Sequence, residues 1–322
     1  MSRSRAARKV KRAIRRIGTS WNRFWFRADG RAQIRLFRAV FGALMLVFYG
    51  SRSLDLVFYY GEGGILPRET LHDLIVRPGS FTIFNYFPGD SALWLAQAAF
   101  LVSLAFLALG KLPRLAAGVA LVIHLSFLHR NIAVAYGVDF ITTFYLLYMV
   151  LADHREPSIR RGRDVASVVG SMAYRLCQLQ VCVIYGYSGL HKLRGVRWWQ
   201  GEAIWDVVAN SQITRFDMTW LSSFPIVLLV ANYGTLVWEI YFPALVWVRA
   251  LRGPLLVGGI LLHVGIASMI NITFFSALMI ATYIFFIERA QADAAYHFVS
   301  SKVVSVLRKF KVSPRPADQS LV

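Results

Sequence analysis

The chain reads as an all-α, polytopic transmembrane bundle of about eight helices with no separate soluble domain. Three observations predict this. It is 57% hydrophobic with a mean hydropathy of +0.50, above the roughly half-apolar usage of soluble domains. Its apolar residues fall in long unalternating runs rather than in period-2 or period-3.6 stripes. Between Leu36 and Ile287 these runs and their short connections leave no room for a soluble unit of ordinary size.

A hydrocarbon core of about 30 Å asks for about 20 apolar residues per helix, fewer where flanking Arg and Lys snorkel. The stretches that qualify are Leu36 to Tyr49, Ala92 to Leu109, Leu115 to Leu128, Val138 to Leu151, Val165 to Leu190, Phe224 to Val248, Leu255 to Ile270 and Ile272 to Ile287. The reading divides the chain into a basic, interfacial segment (1–33), a membrane domain (34–290) and a basic tail (291–322). Within the first segment, Ala13 to Phe26 mixes Arg with Ile, Trp and Phe, the pattern of an amphipathic helix lying on a lipid surface. The basic start lacks a short apolar core followed by a small-residue cleavage site, so the first helix is expected to insert and stay.

The formal net charge is +19, but the excess lies at the start and in short loops, which points to anionic headgroups and topology rather than to nucleic acid. With the N-terminus cytoplasmic, Lys111/Arg114, Arg155/Arg160/Arg161/Arg163, Arg249/Arg252 and the tail's Lys302, Arg308, Lys309 and Lys311 share one side. Both termini are then cytoplasmic, as expected of a plasma or inner membrane protein. The external side receives Asp55 to Leu74, His129 to Gly137 and His191 to Asp217.

Ionisable groups within hydrocarbon are costly, so each is a functional candidate. Arg175, Gln178, Cys182, Tyr185, Gly189 and Lys192 recur at three- and four-residue spacing and form one helical stripe ending at Lys192. A seam bonding to neighbouring helices and a path for a ligand both fit that stripe. His263 lies mid-run with no metal-pairing partner at i+4, so no metal site is expected. His129 and His191 stand at external helix ends. Cys177 and Cys182 are spaced C-x4-C inside an apolar run and are read as inert. A lysine part-buried at such a place loses preference for its charged form and could act as a base.

Four stretches resemble the horizontally transferred transmembrane (HTTM) domain family, which is related to the vitamin K-dependent gamma-carboxylase. They are "LFRAVFGALML" (Leu36 to Leu46), "YGEGGILPRE" (Tyr60 to Glu69), "SGLHKLRGVRWWQGEA" (Ser188 to Ala203) and "LHVGIASMINITFFSALMIA" (Leu262 to Ala281). The resemblance implies that Lys192 is a base acting on a reduced quinone, of menaquinone or vitamin K type. It places Trp198 and Gly201 on the Trp-x-x-Gly that follows, with one residue of slippage, and His263 on the family's membrane histidine. "NIAVAYG" (Asn131 to Gly137) resembles a segment with a functional histidine, but Ile132 stands at that position and His129 is three residues away.

The expected catalytic set is therefore Lys192, His263 and His129, with Asn131, Tyr185, Trp198 and Gly201 around the quinone. O2 and CO2 would be co-reactants if the chemistry is carboxylation, and a secreted peptide or small molecule the acceptor. No counterpart of the carboxylase's large lumenal domain is expected after the last helix, so carboxylation of a docked protein is not expected. Two other readings fit: an accessory factor in peptide maturation or export, and a lipid-binding or transport protein.

Overall fold

The computed structural model describes residues 2–66, 81–155 and 167–311, with side chains from 11 to 302 within those ranges. Arg160, Arg161, Arg163, Pro67 to Glu69 and the side chains of the basic tail beyond Lys302 lie outside them. Among the described residues the protein is helical, with no strand; a single β-bridge joins Thr214 to Ile270.

The elements are α1 (Ser2–Phe26), α2 (Arg31–Ser51), α3 (Leu56–Tyr60), α4 (Asp90–Leu109), α5 (Pro113–Arg130), α6 (Gly137–Leu151), α7 (Val168–Lys192), α8 (Val196–Gln200), α9 (Ala203–Val208), α10 (Pro225–Leu245), α11 (Arg249–Met269), α12 (Thr273–Thr282) and α13 (Arg289–Lys311). Their ends follow local chemistry. Ser167 caps α7, its Oγ accepting from Gly170 N at 3.0 Å. Pro113 opens α5 just after Gly110, which closes α4 at φ 74°. The break between α11 and α12 is held where the apolar pattern puts it, by bonds from Arg215 N to Met269 O and from Asn271 N to Ile213 O.

Among the described residues five helical stretches are long and apolar enough to cross a membrane: Arg31–Tyr60, Asp90–Leu109, Val168–Lys192, Pro225–Leu245 and Arg249–Met269. The other three expected crossings form helices but are weaker. In α5, Arg114, His124, His129 and Arg130 dilute the apolar run; α6 and the Thr273–Phe286 stretch are shorter.

The long helices pack in sequence, α4 on α5, α5 on α6, α6 on α7 and α11 on α12, with α10 against α7 and α2 against α4 and α12. The core is aromatic. Phe37 and Phe285 lie 4.5 Å apart and Phe37 and Tyr145 4.9 Å apart, all fully buried. Helix α2 begins with Arg31, Arg35 and Arg38 turned inward and buried, although basic residues flanking a span more often face headgroups. Arg31 pairs with Asp29 and Arg35 stacks on Tyr296 of α13.

Candidate functional site

The stripe on α7 is real, and each of its polar members is spent on a neighbouring element. Arg175 Nε donates to Phe24 O of α1 at 2.9 Å and its Nη1 to Gln178 Oε1 at 2.6 Å. Gln178 Nε2 donates to Phe285 O at 2.8 Å. Tyr185 Oη lies 2.7 Å from His263 Nε2 and 2.6 Å from Tyr283 Oη, joining α7, α11 and the end of α12. Cys177 and Cys182 are buried free thiols.

At the end of the stripe Gly189 lets α10 come close: a Cβ there would sit 3.0 Å from Ile240 N and 2.9 Å from Ile240 Cγ1. That approach sets Glu239 opposite Lys192, whose Nζ donates to Glu239 Oε2 at 2.6 Å and to Ser188 Oγ at 2.6 Å. Nζ also lies 5.2 Å from the Trp198 ring centroid, within cation–π range. The two charged side chains are 20% and 10% exposed, so water screens the pair little.

Lys192 opens on a cleft of about 560 Å3 between α6, α7 and α12. Phe140, Phe144, Val183, Ile184 and Phe275 form its apolar wall, with Ser188, His191 and Lys192 at one end. Phe144 and Val183 are exposed on the outer surface of the bundle, so the cleft is open sideways, toward lipid. The cleft thus pairs an apolar wall with a donor and an acceptor at its Lys192 end.

The other expected site residues fall elsewhere. Tyr185 and His263 meet, and Trp198 meets Lys192, but His129 and Asn131 do not line this cleft, because α6 lies between α5 and α7. His129 donates Nδ1–H to Phe81 O at 2.7 Å. Asn131 is used at both ends, donating to Tyr59 O at 2.7 Å and accepting from Ala133 N at 3.1 Å. Gly201 shapes the chain: its φ is 79°, and a Cβ would strike Leu229. The short α8 is clamped to α10 by Asn232 Nδ2 donating to Trp198 O and Tyr233 Oη to Trp199 O.

Glu239 and Tyr283 are not among the residues that the sequence singles out. For Glu239 the signal was present, since it is the lone acid of an otherwise apolar run. Among the described residues no cluster of three or more His, Cys, Asp or Glu could hold a metal.

Compared with protein-family models, curated proteins and solved structures, the chain finds no match.

Proposed function

We propose that the protein is an integral membrane enzyme of HTTM type, crossing the bilayer about eight times with both termini cytoplasmic, whose lateral cleft takes a reduced quinone. The observation that carries this reading is the Lys192–Glu239 pair at the polar end of a cleft open to lipid. The apolar wall would hold the ring and its chain, and Ser188 and Lys192 would meet the hydroxyl.

A reduced quinone bound there would supply two electrons and an acidic hydroxyl and, together with O2, a strong base for deprotonating an acceptor. The residues handle the proton. Lys192 donates to Glu239 in the resting pair, and in the proposed step Lys192 would pass that proton to Glu239 along the 2.6 Å bond, against the preference of a paired lysine for its charged form. The amine then accepts the proton of the ligand's hydroxyl, 1:1, and becomes ammonium again. Trp198 faces the cation so formed. The acceptor, a secreted peptide or small molecule, would approach from the outer face.

A second reading is favoured by the pairing itself: Lys192 as a fixed cation in a lipid-binding or accessory protein, without covalent chemistry. Labelling in nanodiscs with a photoreactive menaquinol tests the cleft. The enzyme reading expects crosslinks on Phe140 to Phe144 and Val183 to His191, suppressed by Val183→Trp, which fills the cleft. Labelling confined to the lipid-facing side of α11 and indifferent to Val183→Trp would remove the quinone from the account.

A further inference from the structure

The opposite, basic end of the bundle carries a second cleft, of about 770 Å3, bounded by the α4–α5 turn (Gly110, Leu112, Arg114) and by Asp153, His154 and Ser167 between α6 and α7. Among the described residues its lining carries two arginines, Arg114 and Arg155, and one carboxylate, Asp153. Asp153 is spent, accepting from Arg155 Nε at 2.9 Å, Arg155 Nη2 at 2.7 Å and Ser167 N at 3.0 Å. Arg114, an exposed residue, anchors its Nε on Ala152 O at 3.1 Å and has no carboxylate partner among the described residues.

Behind the turn stands Arg38. It is 4% exposed, donates Nη1 to Leu107 O at 2.7 Å, has Tyr296 as a second polar neighbour and an unpartnered Nε, and forms no ion pair among the described residues. Its guanidinium lies directly against Gly110, where any Cβ would collide with it. A buried cation with no counter-charge is costly. The turn that stands between it and the cleft is itself strained: Leu112, at φ 46°, is the one non-glycine residue with positive φ among the described residues.

We infer that this cleft binds the phosphate of an anionic lipid headgroup, held by Arg114 and neutralised from behind by Arg38. A volume of about 770 Å3 is far more than inorganic phosphate requires and suits a headgroup. Basic pockets between membrane helices on the cytoplasmic side are the usual site for such lipids. The site is independent of the Lys192 cleft.

The test is native mass spectrometry of the lipid-stripped full chain titrated with phosphatidylglycerol, phosphatidylcholine or sodium phosphate. Phosphatidylglycerol should be retained over phosphatidylcholine. Arg114→Gln should weaken its retention about fivefold, the worth of one cation beside a headgroup, while Arg114→Lys stays within about twofold. Arg249→Gln, which removes an exposed arginine at the same end, should change nothing. Equal retention of the two lipids, an Arg249→Gln loss matching that of Arg114→Gln, or an unchanged Arg114→Gln would each overturn the inference. Saturable sodium phosphate binding that displaces the lipid would make free phosphate the ligand and overturn it too.

Discussion

Removing one partner of the Lys192–Glu239 pair should destabilise the protein more than removing both. At 2.6 Å and an effective dielectric of about 20, the attraction is about 6 kcal/mol, opposed by several kcal/mol of desolvation for each ion. The net worth of the pair is therefore small. A single truncation, however, strands a charge that is four-fifths or more buried, at about 3 kcal/mol. Lys192→Met and Glu239→Met should each lose about that much, and the double variant should return to within about 1 kcal/mol of wild type. Unfolding in mixed SDS micelles, followed by circular dichroism, gives the four corners of the cycle. If the two single losses add within about 0.5 kcal/mol, the side chains do not interact and the proton exchange argued from their contact fails with them.

Other consequences are open to the same assay. Tyr185→Phe removes the hydroxyl shared by His263 and Tyr283 and strands two buried polar groups, so it should cost about 2–3 kcal/mol; no loss would mean that the network is not formed. Gly201→Ala should destabilise by at least about 1 kcal/mol, through its left-handed backbone and the collision with Leu229, while a tolerated alanine would return Gly201 to the role of a ligand contact.

At the basic end, burial and then the nearby Arg38 and Arg114 hold His154 down to about 4, against the opposing bond to Met149 O. Since the unfolded ring titrates near 6.5, the unfolded chain binds the extra proton between the two values. Stability should then be full above about pH 6.5 and fall toward pH 4, by up to about 3 kcal/mol. Asp153, held low chiefly by its hydrogen bonds from Arg155, adds a further loss below about pH 4. In zwitterionic nanodiscs His154→Gln should flatten the upper part of that profile; an unchanged slope would assign it to other groups.

Much of the fold was legible because apolar runs of fixed length are a physical demand of the bilayer. The break at Ile270 to Ile272 was visible as a gap between two such runs, and the helices begin and end within a few residues of the expected places. The interior of the bundle was less legible. Periodicity placed Tyr185 and Lys192 on one face, but only packing tells that Tyr185 meets His263, or that Gly189 admits the α10 backbone so that Glu239 reaches Lys192. His129 stands in the last turn of α5, at the end of the expected apolar run, yet sequence carries no sign that α6 intervenes between α5 and α7. Arg35 and Arg38, buried near the start of α2, run against the usual flanking pattern, because their partners lie on distant helices.

The central claim is that Lys192, poised by Glu239, takes a proton from a reduced quinone in the lateral cleft. The direct measurement adds reduced menaquinone anaerobically to the purified protein in nanodiscs, admits O2 and follows quinone epoxide by mass spectrometry. The account predicts epoxide from wild type and none above background from Lys192→Ala or Lys192→Arg, since a guanidinium stays protonated. Equal epoxide from Lys192→Ala, or none from a folded wild-type protein that binds the quinone, would contradict it.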